Sequence, residues 1–291
     1  MRLPKFAYFA PRTVEEALNL LADHGEGARV MAGGTDVMVK MIHGLLKPTA
    51  IISLLEIEEL RGIHFDAKDG LTIGATAPLA DTASHPDIVK YYPALVHAIR
   101  SMANVEVRNM GTVAGNICNA APSADTAPPL MVMNGEVNLA SLKGQRRLSL
   151  NEFFRGPGVT NMIHGEILTS IHVPPPLPKS GVSYQRISAR CGVDIAAVGV
   201  GVGIVLAGEA CKDAKIVLGA VAPVPMRALE TEELVQGRER AQELLGQAGD
   251  RAAQEARPIS DMRASASWRR KMTAVLTRRA LDEAFERASR R

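Results

Sequence analysis

Two glycine-rich segments hold the residues best suited to bind a ligand. The first is Ala32–Asp36 and the second is Val107–Asp125, and both place glycine beside threonine and an acid or amide. Glycine lets the backbone approach a ligand closely, and N–H groups that point one way in a concave loop bind anions. One such segment alone would indicate little. Two of them predict one extended phosphorylated ligand that is held from both sides.

The second segment is poor in charge and in bulky side chains, and its pattern looks too irregular for a helix or a plain strand. Gly111 and Gly115 bracket Thr112, and Asn116 follows, so backbone groups and short polar side chains can reach a ligand. Asp125 closes the segment with a carboxylate that can accept hydrogen bonds from ligand hydroxyls. The pattern predicts a binding surface.

The first segment lies between a predicted strand, residues 28–32, and a predicted helix that has Asp36 in its first turn. A strand, a glycine turn and a helix in this order place an anion at a helix N-terminus. The spacing differs from G-x-G-x-x-G, so the segment gives no support to a Rossmann dinucleotide fold.

Other motifs give no support to self-contained chemistry. Gly199–Gly203 lies in an alternating strand pattern with no helix after it, which favours close packing over nucleotide binding. The seven histidines have no metal-ligand spacing, and the three cysteines form neither a C-x-x-C pair nor a disulfide framework. Cys118 as a nucleophile is the minority interpretation. An enzyme with this sequence would depend on a cofactor for its chemistry.

Composition sets the broad class of the protein. A chain of 291 residues exceeds the usual size of one domain, and 46% hydrophobic with 22% charged residues is typical of globular proteins. A net charge of +3 does not favour nucleic acid or an anionic membrane as a partner. The start of the chain lacks a signal-peptide core, and the apolar run Ile195–Ala207 is too short and glycine-rich for a membrane helix. We expect a cytoplasmic protein without obligatory membrane insertion.

The run Pro174–Pro178 is a stiff connector and the best domain boundary. After it, residues 181–187, 195–206 and 214–220 predict successive strands, and the remainder is nearly all helical. This order predicts an α+β domain with its sheet first and its helices last. The arginine-rich helical end is typical of a solvated face, with docking of a partner subunit as the alternative.

Five pieces of the sequence occur together in one known family. They are Ala32–Asp36, Ile73–Thr76, Arg108–Asn116, Ala121–Asp125 and Asp194–Ala196. In this order they resemble the FAD-binding medium subunit of molybdenum hydroxylases, the group that includes aerobic carbon monoxide dehydrogenase and bacterial xanthine dehydrogenases. The resemblance implies a two-part FAD-binding domain of the vanillyl-alcohol oxidase (PCMH) type over residues 1–175, with subdomains of about 1–55 and 56–175. A small α+β domain with an antiparallel sheet and C-terminal helices, residues 179–291, would follow.

The resemblance also implies the residues that bind FAD. The segment expected to wrap the diphosphate comprises Val30, Met31, Ala32, Gly33, Gly34, Thr35, Asp36 and Val37. Thr112, Gly115 and Asn116 would complete this cradle, Asp125 would bind cofactor hydroxyls, and Ile73 and Leu168 would contact the rings. Arg186 occupies a position where some relatives carry a lysine near the flavin, and a guanidinium differs from an ammonium in its geometry. No histidine falls in a binding motif, so the FAD is expected to be non-covalent.

In such complexes a large subunit holds the molybdenum cofactor and oxidises the substrate, and a small subunit carries 2Fe–2S clusters. The resemblance implies that this chain takes electrons from those clusters onto FAD and passes them on, in a dimer of heterotrimers. The branch with an additional iron–sulfur cluster on the flavin subunit is disfavoured by the three scattered cysteines. Two alternatives stay open, namely a self-contained flavin oxidase or dehydrogenase of the same fold and a non-redox nucleotide-binding module.

Overall fold

The computed structural model describes residues 3–190 and 193–290. The chain begins with a small parallel sheet of order β1-β3-β2 and two helices. These elements are β1 (Ala7–Phe9), α1 (Val14–His24), β2 (Ala28–Met31), α2 (Val37–Ile42) and β3 (Ala50–Ser53). Thr13 begins α1 because its side chain accepts a hydrogen bond from the Glu16 amide at 3.1 Å. Strand β2 ends at Met31, immediately before the first glycine segment.

An antiparallel sheet of order β4-β5-β10-β6-β7 follows. Its strands are β4 (Ile63–Asp66), β5 (Gly70–Gly74), β6 (Glu136–Ser141), β7 (Gly144–Ser149) and β10 (Ile167–Val173), with β8 (Phe154–Gly156) and β9 (Val159–Thr160) as a separate pair. Its helices are α3 (Leu79–Ser84), α4 (Pro86–Tyr91), α5 (Pro93–Ser101), α6 (Val105–Met110), α7 (Val113–Asn119), α8 (Ala127–Val132) and α9 (Leu150–Phe153). One hydrophobic cluster joins both sheets, with Ile52, Ile73 and Ile117 among its buried members. We call residues 3–173 the N-terminal region.

The C-terminal region, residues 180–290, has an antiparallel sheet of order β11-β12-β13-β14 followed by three helices. The elements are β11 (Ser180–Ser188), β12 (Ala196–Ala207), β13 (Ala210–Gly219), β14 (Met226–Arg227), α10 (Leu229–Val235), α11 (Gln242–Glu255) and α12 (Ala266–Ser289). Buried Val200, Val202 and Leu281 belong to its own core. The predicted α+β class, with the sheet first and the helices last, is confirmed.

The predicted irregularity of Val107–Asp125 is wrong, because the segment contains α7 and the end of α6. Each helix is started by a local side-chain cap. The Asn104 side chain accepts from the Val107 amide at 2.9 Å, and Thr112 Oγ1 accepts from the Gly115 amide at 2.9 Å. Helices of six and seven residues are too short to show a clear hydrophobic period, so the caps were the available signal.

The packing interpretation of Gly199–Gly203 is confirmed. A Cβ atom on Gly201 would lie 2.8 Å from the carbonyl carbon of Pro128 in α8, and one on Gly199 would lie 2.7 Å from the Tyr184 hydroxyl. Glycine therefore lets α8 and Tyr184 rest directly on β12. Within residues 3–190 and 193–290, no helix has both the length and the apolar character that a bilayer crossing requires.

Candidate functional site

The two glycine segments meet in space. A Cβ atom on Gly33 would lie 1.7 Å from the Met110 carbonyl oxygen and 2.9 Å from the Gly111 Cα. A Cβ atom on Gly111 would lie 3.3 Å from Thr35 Oγ1. The backbones of the segments are thus in direct contact, and only glycine at position 33 permits that approach. The prediction that one site draws on both segments fits this geometry.

The first segment keeps its backbone donors free. Among the described residues, none accepts a hydrogen bond from the amides of Gly33, Gly34, Thr35 or Asp36. Gly34 has φ +72°, in the left-handed region, which turns the chain at this point. Consecutive unpaired N–H groups in a tight turn are the donor set that an anion such as a diphosphate needs. A cofactor that carries a diphosphate therefore fits the residues present.

The second segment uses part of its polar groups to build itself. Thr112 is buried, and its Oγ1 caps α7 while its carbonyl accepts from the Asn116 amide at 3.0 Å. Asn116 Oδ1 accepts from Thr126 Oγ1 at 2.6 Å. The Thr112 hydroxyl proton and the Asn116 amide N–H₂ are left as possible donors to a ligand. Thr112, Gly115 and Asn116 thus lie together at the start of α7, opposite the first segment.

The carboxylate of Asp36 points to α7. Asn119 Nδ2 donates to Asp36 Oδ1 at 3.0 Å, and Lys40 Nζ donates to Asn119 Oδ1 at 2.6 Å. Although the residue is exposed, the atoms packed around the carboxyl group raise the pKa of Asp36, and Lys40 partly opposes this. Asp36 therefore contributes its backbone N–H to the cradle, while its side chain is held by the opposite helix.

Asp125 lies where the N-terminal and C-terminal regions meet and is 5% exposed. The Tyr184 hydroxyl donates to Asp125 Oδ1 at 2.6 Å. Arg186 Nε lies 2.9 Å from the same oxygen as an ion pair without an aligned hydrogen bond. Burial raises the pKa of the Asp125 carboxyl group, whereas Arg186 and Tyr184 lower it. The second oxygen, Oδ2, accepts no hydrogen bond from the described residues and is available to a ligand.

Comparison with known proteins decides the family. Residues 4–176, more than half of the chain, match the family model of the FAD binding domain in molybdopterin dehydrogenase. Residues 183–284 match the CO dehydrogenase flavoprotein C-terminal domain. The chain belongs to the FAD-binding medium subunits of molybdenum hydroxylases. It is thus a subunit of an FAD-dependent oxidoreductase, as its resemblance implied.

Relatives of this flavin subunit match it from end to end. It is 30% identical to the xanthine dehydrogenase FAD-binding subunit of Escherichia coli, over 97% of each chain. It is 32% identical to the glyceraldehyde dehydrogenase medium chain of Sulfolobus acidocaldarius, over 96% of this chain and 98% of the relative. Its structure matches a carbon monoxide dehydrogenase from Hydrogenophaga pseudoflava that lacks the Mo-pyranopterin moiety of the molybdenum cofactor. That match has a TM-score of 0.94 and 30% identity, and it covers 99% of each chain. These matches confirm the predicted fold, an FAD-binding domain followed by a C-terminal domain.

The predicted apolar contacts of the flavin subunit lie on neighbouring strands. Ile73 is on β5 and pairs with Ile171 of β10, the strand that also carries Leu168. The side chains of Ile73 and Leu168 are buried in the N-terminal core. Because β10 packs against α7, Leu168 belongs to an element that adjoins the cradle.

Arg186 of the flavin subunit is enclosed on three sides. Besides Asp125, its Nη2 donates to the Asp194 carbonyl at 2.7 Å, and its Nη1 donates to the Ser101 carbonyl. Tyr184 and Arg186 bind Asp125, whereas Arg190 pairs with Asp194 at the surface.

Cys118 does not have the environment of a nucleophile. Burial raises the pKa of its thiol to about 12, and its sulfur lies 3.9 Å from the Met162 sulfur. Cys211 is also a free thiol, and Cys191 lies outside the described residues. The interpretation of Cys118 as a small packing residue therefore agrees with its surroundings.

A separate cavity of about 340 Å³ lies between the two regions beside the proline-rich connector. Pro175, Val182 and Arg287 are among the residues that line it. It includes none of the residues of either glycine segment. This cavity is therefore distinct from the predicted FAD cradle.

Proposed function

We propose that this chain takes electrons from the 2Fe–2S clusters of a partner subunit onto non-covalently bound FAD and passes them to an external acceptor. The observation that carries the proposal is the contact between two glycine segments at one cradle, the first of which has unpaired backbone N–H groups. The substrate of the complex would be oxidised on a separate molybdenum-binding subunit. This chain would then need no acid, base or nucleophile of its own.

The residues of the chain would bind and orient FAD from several sides. Within the Val30–Val37 segment the free amides of residues 33–36 would donate to the diphosphate, and Thr112, Gly115 and Asn116 would approach it from the opposite helix. Asp125 accepts from cofactor hydroxyls through Oδ2. Ile73 and Leu168 keep water away from the ring system. Bound FAD supplies the redox chemistry, because it accepts electrons singly or in pairs.

Arg186 would contribute to FAD binding indirectly, through Asp125. Its guanidinium is bound by Asp125, Asp194 and Ser101, so it holds Asp125 in place from the C-terminal region. A planar guanidinium can bind three groups at once, which an ammonium at this position would do less rigidly. The substitution relative to the lysine of some relatives therefore favours a positioning role.

The assembly and the domain division are part of the proposal. Relatives that match over nearly their whole length are named medium chains or FAD-binding subunits. We infer a large molybdenum-binding partner and a small 2Fe–2S partner, in a dimer of heterotrimers in the cytoplasm. We place the FAD-binding domain at residues 1–175, with subdomains 1–55 and 56–175, and the C-terminal domain at 179–291, in keeping with the two family-model matches.

A self-contained flavin oxidase is less well supported by the site. Such an enzyme needs a free acid or base over the flavin. Among the described residues, the carboxylates of the two segments are those of Asp36 and Asp125, and each is held by another side chain.

The test is to purify the chain with its co-expressed partner subunits. We expect one FAD per chain, a flavin that is reversibly reduced by light, and oxidation of the pre-reduced 2Fe–2S clusters as the flavin absorbance falls. Absence of flavin would contradict the proposal. A bound nucleotide that does not undergo reduction would favour a non-redox module, and turnover by the isolated chain would favour a self-contained oxidase.

A further inference from the structure

Asn119 joins the two halves of the FAD cradle through its side chain. It is the last residue of α7, and Thr112, seven positions earlier, is the N-cap residue of the same helix. Its Nδ2 donates to Asp36 Oδ1 at 3.0 Å, and its Oδ1 accepts from Lys40 Nζ at 2.6 Å. Asp36 is the N-cap residue of α2 and Lys40 lies within that helix, which follows the first glycine segment.

The chemistry at this point admits few side chains. A carboxylate can only accept hydrogen bonds and a lysine ammonium can only donate them. The residue between Asp36 and Lys40 must therefore offer one donor and one acceptor side by side, which an amide does. The same requirement fixes the orientation of the Asn119 amide, because the flipped group would place N–H₂ against Lys40 and oxygen against Asp36.

The position of this contact gives it a geometric effect. Each of α2 and α7 begins at one glycine segment, so a bond between the helices sets how far apart the segments lie. The backbone contact between Gly33 and Met110 joins the same two segments at a second point. Because Asp36 is exposed, the Asn119 contact adds little to the stability of the fold. The contact instead affects the distance between the two glycine segments of the cradle.

We propose that Asn119 is a positioning residue that sets the spacing of the two glycine segments for FAD binding, with Asp36 and Lys40 as its partners. This inference rests on the proposed function, because it assumes that FAD binds between the segments. Asn119 is proposed to act without touching FAD. It acts through the relative position of α2 and α7.

The test compares two variants in the full chain purified with its partner subunits and stripped of FAD. N119D places a second carboxylate against Asp36, and we expect the dissociation constant for FAD to rise about tenfold, as for the loss of a charged hydrogen bond. D36N/N119D exchanges the two groups, so that an amide at 36 donates to a carboxylate at 119 and Lys40 keeps its acceptor. We expect this double variant to bind FAD more tightly than N119D, because it restores the hydrogen bond between positions 36 and 119.

N19D is the matched control, because it makes the same chemical change at an exposed position of α1. We expect it to bind FAD like the wild type, and we expect all three variants to have similar thermal midpoints without FAD. An N119D variant that binds FAD within about twofold of the wild type overturns the inference. A double variant no better than N119D overturns it as well, since the inference requires the hydrogen bond between positions 36 and 119 to carry the effect.

If N119D does not fold, Lys40→Met provides a second test. It leaves Asn119 Oδ1 without its charged donor, and we expect about threefold weaker FAD binding. Unchanged FAD affinity in this variant overturns the inference. Failure of the wild-type chain itself to bind FAD would instead contradict the proposed function, so the two failures are distinguishable.

Discussion

Two contrasting regions of this chain carry closely spaced glycines, the paired segments of the cradle and strand β12 of the C-terminal region. In β12, Gly201 pairs with Tyr184 on one side and with Val217 on the other, within a sheet that is hydrogen-bonded along both edges of the strand. At the cradle, the amides of Gly33 and Gly34 donate to no described residue. Both regions use glycine for close approach, but only the cradle leaves its donors free.

The difference explains why glycine content alone does not identify a ligand site. In β12 the missing side chains admit α8, whose Pro128 lies directly on Gly201. At the cradle the missing side chain of Gly33 admits another loop, and the turn at Gly34 leaves adjacent N–H groups unpaired. Unpaired backbone donors, rather than small residues, mark the anion site.

Gly33→Ala should have the largest effect on FAD binding. Its new Cβ would overlap the Met110 carbonyl oxygen and drive the segments apart. Overpacking costs about 1–3 kcal/mol, so we expect FAD to bind about a hundredfold more weakly. Titration of the FAD-free complex with FAD measures this. Wild-type affinity for FAD in this variant would show that the close contact at Gly33 is not needed for the cradle to bind FAD.

Gly201→Ala is the counterpart in β12. Its Cβ would press on Pro128, and we expect the free energy of unfolding to fall by about 2 kcal/mol. The folded fraction should bind FAD with a dissociation constant within about twofold of the wild type, because the atoms nearest to the new Cβ belong to Pro128, outside both glycine segments. Denaturant unfolding and FAD titration together check both statements. A large loss of affinity at full folding would show that the two regions are not separate in function.

Tyr184→Phe tests the junction between the regions. It removes the hydroxyl that donates to Asp125, and we expect about 1.5 kcal/mol of destabilisation at neutral pH. Burial raises the pKa of Asp125 in the folded chain, so the stability linked to its neutral form is lost as pH rises through that value. Tyr184 opposes this loss by binding the ionised form.

The difference between the Tyr184→Phe variant and the wild type should therefore shrink as pH falls through the folded-state pKa of Asp125. Denaturant unfolding across the acid range measures it. An equal difference at every pH would mean that Asp125 is not the group on which Tyr184 acts. Tyr8→Phe is the control, because Tyr8 is exposed on β1.

The smallest change is expected when the folded chain is treated with a thiol-labelling reagent. Burial raises the pKa of Cys118 to about 12, and burial with Asp213 nearby raises that of Cys211 to about 11. Both should remain unalkylated at neutral pH in the folded chain and react once it is denatured. Peptide mapping by mass spectrometry distinguishes them. Rapid labelling of Cys118 in the folded chain would revive its interpretation as a nucleophile.

The sequence predicted the antiparallel sheet and helices of the C-terminal region, because Val200 and Val202 alternate with glycine at the period of a strand. It also predicted that the two glycine segments serve one site. The helices α6 and α7 escaped prediction because Asn104 and Thr112 start helices shorter than a reliable period.

The side-chain contacts that shape the site could not be predicted from local pattern. Asn119 meets Asp36 across 83 positions of sequence, and Tyr184 meets Asp125 across 59. Such contacts depend on how separate elements pack. Each residue by itself is an ordinary polar side chain at the end of a helix or in a strand.

Hydrogen–deuterium exchange of the full chain with and without FAD tests the central claim most directly. We expect FAD to slow exchange in residues 32–37 and 111–116 together, while residues 199–203 are already protected and do not change. Protection of only one segment, or of neither, would contradict the claim that a single FAD is held between the two.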